Sequence, residues 1–205
     1  MTGTWWRENR WWLPAAPFAV AAMLGASAYN LHDFWYIQGL HHEEASAPQG
    51  RFVAVTDDYD DAQGHTSRTF RVRLARIEEA DTYWYDLGDD GPRPVGNGQE
   101  ALVVHLDWEA DPDQAIKYCS VALVDDEGRR YEPVGNAQPD SCTPDGHGGP
   151  DPAQFDGQVR GQVPDGEDRP PTWSTAPAFL VPDGVEIRRV LVWWELPDYV
   201  SLTVS

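Results

Sequence analysis

Hydrophobic and polar positions alternate with a period of two over most of residues 51–205, and that alternation predicts strands. In "TFRVRLARI" (69–77), Phe70, Val72 and Leu74 share one face while Arg71 and Arg73 share the other, the pattern of a half-buried strand. "ALVVHLDWE" (101–109) sets Leu102, Val104, Leu106 and Trp108 against His105, Asp107 and Glu109. "CSVALV" (119–124) points Cys119, Val121 and Leu123 inward. Near the end, "VEIRRVLVWWEL" and "YVSLTV" turn Val190, Val192, Trp194, Val200, Leu202 and Val204 to the core. "RFVAVT" (51–56) is expected as the first strand, and "DDEGRRY" (125–131) as a hairpin in which Gly128 takes positive φ. No part of 51–205 carries a convincing helical period. Short strands broken by Gly, Pro and Asp predict an all-β antiparallel sandwich. Residues 139–171 depart from the pattern: 19 of these 33 residues are Pro, Gly or Asp, so few side chains remain to bury. A long loop is expected there, mobile beyond whatever Cys142 tethers.

The N-terminal region has a different pattern. Between Arg10 and Asp33 there is no charged residue, and the apolar part from Trp11 to Tyr29 is 19 residues long. As a helix it would rise about 28 Å, near the thickness of a bilayer's hydrocarbon core. Trp5, Trp6, Trp11 and Trp12 cluster at one end, and Tyr29, Phe34, Trp35 and Tyr36 at the other, as interfacial aromatic belts do. Arg7 and Arg10 followed by Ala26-Ser27-Ala28 also fit a signal peptide with its cleavage site, and a soluble core helix is the third reading. The aromatic cluster beyond the cleavage motif favours a retained anchor. Basic residues before the span and Asp33, Glu43 and Glu44 after it put the N-terminus in the cytoplasm. The expected organisation is a cytoplasmic stub (1–10), a transmembrane helix (11–32), a polar juxtamembrane stalk (33–50) and an extracytoplasmic domain (51–205). Small residues stack at four-residue spacing in the span, and the side bearing Ala22, Gly25 and Ala26 is expected to pack on another helix. An alanine-rich codon bias produces the same spacing without any partner.

Charge narrows the class. The four charged residues of 1–33 cancel, so the whole net charge of −19 sits on residues 34–205. Such a field repels nucleic acid and anionic headgroups, and either attracts cations and basic partners or simply keeps an exported domain soluble. Cys119 and Cys142 are the two cysteines. In an exported chain they are most simply one disulfide, since two thiolates without nearby histidines cannot complete a zinc shell; His147, in a glycine-rich loop, is the one candidate third ligand.

Two stretches, "ALVVHLDWEADPDQAIKYCSVALVDDEGRRYEPV" (101–134) and "FLVPDGVEIRRVLVWWELPDYVSLTVS" (179–205), carry a resemblance. The first resembles the strand, polar connection and hairpin of immunoglobulin-like ectodomains found in Gram-positive, chiefly actinobacterial, lipoproteins and membrane proteins. The second is similar to their closing pair of strands. The architecture is similar to that of the mycobacterial immunoprotective extracellular antigen. The resemblance covers 51–205 without the 139–171 loop and rests on hairpin chemistry. It implies an immunoglobulin-like β-sandwich outside the cytoplasm and implies no activity.

Candidate chemistry is sparse. "TDDYDDAQGH" (56–65) fails the calcium-loop pattern, because Ala62 and Gln63 fall where a ligand and a glycine are needed. "DWEADPD" places Asp107, Glu109, Asp111 and Asp113 at alternate positions, yet a solvated acidic surface accounts for them and bound Ca²⁺ is not expected. His41 and His42 are adjacent and diverge, so one ion seldom takes both. There is no HExxH, no GxSxG and no phosphate loop. No catalytic residue, cofactor or metal is therefore assigned. Tyr83, Trp84, Tyr85 and Trp173 are the aromatics that either anchor a protein interface or fold back over the end of the sandwich. The expected function is binding of a protein partner at the cell surface or in the membrane, without catalysis. An accessory subunit docked through its helix is the alternative, and an extracytoplasmic enzyme with an unidentified site the third.

Overall fold

The computed structural model describes residues 13–32, 39–83, 91–134, 142–143, 149–150 and 169–205. The chain forms two compact units, Met1–His41 and His42–Ser205. In the first, a 3₁₀ turn at Leu13–Ala15 leads into helix α1, Ala16–His32, of 17 residues. The later start puts Pro17 in the first turn, where its missing N–H has no intrahelical partner to lose. Residues 14–28 are exposed throughout, with Phe18 at 77% and Met23 at 65%. Among the described residues no helix is long and apolar enough to cross a membrane, so a transmembrane helix over 11–32 is not shown. Most of the flanking aromatics lie outside the described residues.

The second unit is a β-sandwich. Its first strands are β1 (His42–Pro48), β2 (Val53–Asp61), β3 (Gly64–Ala80) and the short β4 (Thr82–Tyr83) and β5 (Arg93–Pro94). Then come β6 (Gln99–Glu109), β7 (Ser120–Asp125), β8 (Arg130–Tyr131), β9 (Thr172–Thr175), β10 (Ala178–Pro182), β11 (Ile187–Trp193) and β12 (Asp198–Thr203). One sheet runs β1-β12-β11-β7-β8 and the other β10-β6-β3-β2, with β9 and β10 sharing one side of β6 end to end. A bridge between Pro133 and Phe179 links the two sheets along one side. The inward residues anticipated from alternation meet between the sheets: Phe70, Val72, Leu74, Val104, Leu106, Trp108, Val121, Leu123, Val190, Val192, Val200 and Leu202 are all buried. A bulge between Leu74 and Arg76 shifts the parity of β3, so that Ile77 packs on the core beyond it. Gly128 has φ 80° in the β7–β8 turn, the left-handed conformation that the hairpin needs.

Two expectations need correcting. The stalk expected over 33–50 is a strand from His42, so the sandwich begins there and RFVAVT is not its first strand. Its sequence hides this, because β1 turns only Ala45 and Ala47 to the core among polar residues. The sandwich is also not purely antiparallel, since β1 pairs with β12 in parallel. Beyond these corrections, the centre of the β1-β12-β11-β7-β8 sheet is buried on both faces: Ala122, Val124, Leu191 and Ser201 are covered as well as their inward neighbours. The loop expected over 139–171 lies largely outside the described residues; of those described, Cys142, Thr143, Gly149, Pro150 and Arg169 are buried and Pro170 and Pro171 exposed.

Candidate functional site

One end of the sandwich gathers most of the buried charge. The hairpin joining β2 to β3 turns through Ala62-Gln63, with Asp61 opposite Gly64, and that register brings Asp57 opposite Arg68. Both lie on the inward face: Asp57 continues the parity of Val53, Val55 and Tyr59, and Arg68 that of Phe70, Val72 and Leu74. Arg68 is 3% exposed and Asp57 9%. Arg68 Nε donates to Asp57 Oδ2 at 2.5 Å, and Nη1 donates to the carbonyl of Ala115 at 3.3 Å. The guanidinium lies 4.1 Å from the Tyr59 ring and 4.9 Å from that of Trp194, so its flat faces are covered by π-systems. Trp194 in turn packs at a tilt against Phe70, centroids 4.6 Å apart, and its Nε1 donates to the carbonyls of Ile116 and Lys117. The β6–β7 connection is thereby clamped, and within it Tyr118 is held at φ 68° with its ring exposed.

Carboxylates surround this pair. At the edge, β1 carries a bulge between Glu43 and Ala45, so Glu44 has no register partner on β12. Its pKa is raised by partial burial and by the charges of Asp57 and Asp198, with His42 opposing. Burial likewise pushes Asp57 up, although Arg68 works against it. Glu195, in the β11–β12 turn, is raised by burial and by Asp57 and Asp60, again against Arg68. His42 Nδ1 lies 2.6 Å from Asp198 Oδ1. The chemistry this arrangement offers is proton uptake by crowded carboxylates, with Arg68 already committed to Asp57 and a carbonyl.

A second cluster closes the same end. Cys119 and Cys142 form a disulfide, as expected. The carbonyl of Cys142 accepts from Trp173 Nε1 at 2.6 Å, and Trp173 stacks on Trp108 with centroids 6.1 Å apart. Arg169, 1% exposed, lies 4.1 Å from the Trp173 ring, and donates to the carbonyls of Asp111 at 2.6 Å and Gln114 at 3.3 Å. Among the described residues its Nε has no hydrogen-bond partner, and burial pulls the group down to about 10 against Asp113 and Asp111, leaving it charged at neutral pH. Gly149, at φ 65°, passes so close that a Cβ there would fall 3.1 Å from Arg169.

The aromatics singled out from the sequence do not assemble into one surface. Trp173 is 7% exposed and belongs to the core, because pairing with β6 sets it opposite Trp108 and the disulfide segment covers it. It is therefore not an interaction residue. Tyr83 is half-buried in β4, and Trp84 and Tyr85 lie outside the described residues. Ala22, Gly25 and Ala26 are exposed on α1, and a Cβ at Gly25 would meet nothing within 4 Å. The acidic run divides: Asp107 pairs with Arg73 at 2.8 Å and Glu109 with Arg71, while the strand ends before Asp111. Among the described residues no group of three or more His, Cys, Asp or Glu could hold a metal ion. Sequence reasoning missed Arg68, Asp57 and Arg169. The first two were signalled by charges standing at inward parity; Arg169 had no signal in its Pro/Gly/Asp-rich surroundings.

No protein-family model matches the chain, and no curated protein does. Two solved structures show a distant likeness. One is an uncharacterized beta-sandwich protein from Clostridium difficile 630, 8% identical, with a TM-score of 0.39 over 80% of this chain and 95% of that one. The other is a conserved hypothetical protein from Bacillus anthracis, 14% identical, with a TM-score of 0.34 over 70% and 89%. Likeness at this level carries no argument about what the chain does.

Proposed function

We propose that the chain is a single-pass membrane-anchored protein, with its N-terminus in the cytoplasm and a β-sandwich outside that acts by binding a protein partner. The observation that carries this reading is α1. A helix with no Asp, Glu, Lys or Arg and exposing Phe18, Val20, Met23 and Leu24 is not stable facing water and calls for lipid or another protein around it. The disulfide is consistent with an oxidising compartment. The finer reading of the fold is immunoglobulin-like: β6 pairs with β10 in one sheet, and in the other β7 pairs with β11 and β11 with β12, as strands B–E and C–F–G do in such domains. The disulfide departs from that scheme, because it ties the start of β7 to a loop instead of bridging the sheets.

The test is to express the full chain with reporters at both ends, wash membranes with alkali and determine the N-terminal mass. An intact N-terminus retained in washed membranes, with the C-terminal reporter outside, is the expected result. A chain in the soluble fraction, or a mature form starting at Tyr29 in the medium, overturns it. Gly25 supports a second reading, an accessory subunit packed through α1, because the helix backbone is open to close approach there. Crosslinking that Gly25→Leu with Ala26→Leu abolishes, without loss of insertion, distinguishes the subunit from a plain anchor.

A further inference from the structure

We propose that the outer edge of β2 is a docking site for an extended protein segment carrying Lys or Arg at every second position, which adds to the β10-β6-β3-β2 sheet as one more strand. Such a site gives the partner-binding reading above a place and a chemistry, and rests on that reading. The direction of the backbone groups of β2 follows from its hairpin. The two-residue loop Ala62-Gln63 is closed by Asp61 and Gly64, and a closing pair of this kind exchanges both N–H···O=C bonds. From there the pattern alternates. Tyr59, Asp57, Val55 and Val53 bond to β3, while Asp60, Asp58, Thr56 and Ala54 turn their N–H and C=O groups away from it. Thr69 has the matching phase: it stands opposite Thr56, and its own N–H leaves β3 on the far side to donate to Gln114 Oε1 at 2.9 Å. Because β2 ends its sheet, no strand among the described residues pairs with those four outward positions. Their side chains are exposed.

The other described edges of the sandwich are blunted, and this one is not. β8 is two residues long, and β1 carries a bulge and ends on Pro48. The side formed by β9 and β10 is interrupted between the two strands and ends on Pro182. β2 is nine residues long, contains no proline and keeps an unbroken register with β3. A free edge of that kind is a template for another strand, whose main chain supplies affinity and whose alternate side chains supply specificity. Charge selects the strand. Asp58 and Asp60 stand on the exposed face, on two of the residues whose backbone points outward. An added strand sets a side chain of its own opposite each, about 5 Å away between Cβ atoms, where opposite charges attract and like charges repel. On the protein itself Asp60 meets only the exposed His65, at 3.3 Å, among the described residues. A second copy of the chain, also at −19, would bring the same acids to the seam, so the occupant that fits is a basic segment of another protein.

Titrating the full chain, in micelles of an uncharged detergent, with an acetylated heptapeptide that alternates lysine and threonine tests the site. The same peptide with glutamate in place of lysine is the control. Saturable binding of the lysine peptide alone is expected, with slowed amide exchange at Thr56, Asp58 and Asp60. Thr56→Pro removes an outward N–H and no bond to β3, and should weaken binding by at least about tenfold. Asp58→Lys with Asp60→Lys should turn the preference to the glutamate peptide, and decides alone if the proline variant does not fold. Absence of saturable binding, or equal binding of the two peptides, overturns the site. Binding that a folded Thr56→Pro chain keeps in full, or a preference that charge reversal leaves unchanged, overturns it too. A partner crosslinked in membranes equally well by the charge-reversed chain would keep the partner-binding reading and remove only the edge. Retention in washed membranes does not involve β2, so failure of the anchor is separable from both.

Discussion

Single side chains bear unequal weight in this molecule, and two of them are charged. Arg68 is buried, and its partner Asp57 is nearly so. Removing one member of such a pair strands the other without solvent, which costs about 3–5 kcal/mol, whereas replacing both by apolar residues of similar volume costs far less. Chemical denaturation should show Arg68→Ala destabilised by that amount and Arg68→Met with Asp57→Leu recovering most of it. Similar losses in the single and double variants would mean that stacking on Tyr59 and Trp194 matters more than the ion pair. Asp125 works differently. Its Oδ1 accepts from the backbone N–H of Glu127 and Arg129, and its Oδ2 from Arg129 Nε and the Tyr131 hydroxyl. Burial pushes this carboxyl up, yet the hydrogen bonds from Arg129 and Tyr131 prevail and hold it at about 2. A depressed carboxyl contributes stability that is complete above its unfolded value of 3.8 and disappears as pH falls toward 2. Acid titration of stability should therefore be shallower between pH 4 and pH 2 in Asp125→Asn than in the parent, and equal slopes would show that the latch is energetically idle.

At the scale of elements, the β6–β7 connection is the most heavily pinned segment described. The disulfide, Trp194 and both buried arginines fasten it through the carbonyls of Asp111, Gln114, Ala115, Ile116 and Lys117. The cysteines are 23 residues apart. In the chain-entropy account a loop of that size contributes about 3 kcal/mol. Cys119→Ser with Cys142→Ser should lower stability by about that much in denaturant, and should also change tryptophan fluorescence, because Trp173 donates to Cys142 and stacks on Trp108. Lost stability with unaltered fluorescence would mean that Trp173 keeps its place without the disulfide.

The molecule as a whole is acidic, at −19, but among the described residues its acids are not gathered into a cation site. On the outer face of the β3–β6 pair, Arg71 and Arg73 neutralise Glu109 and Asp107, and Phe52 lies 4.7 and 4.6 Å from those two guanidinium groups. Exposed pairs of this kind contribute at most about 1 kcal/mol each, so they serve solubility more than stability. Ca²⁺ should accordingly raise the melting temperature no more than monovalent salt of equal ionic strength does. A saturable shift at micromolar Ca²⁺, removed by Asp111→Asn, would reveal a specific site.

Alternation of apolar and polar residues was enough to place Phe70–Leu74, Leu102–Trp108, Val190–Val192 and Val200–Leu202 on the core face, because a strand's side chains switch sides at every residue whatever it pairs with. The β7–β8 turn and the disulfide were legible for similarly local reasons, a glycine where φ must be positive and two cysteines in a chain expected to be exported. Strand partners are a different matter, since they depend on contacts far along the chain. Only the assembled sandwich shows that the polar segment His42–Pro48 completes the edge beside β12, or that Trp173 faces Trp108 and is lost to solvent. The buried charges follow the same rule. Asp57 and Arg68 each look misplaced at an inward position, and become tolerable once the hairpin register sets them opposite each other, where each supplies the countercharge that burial takes from the other.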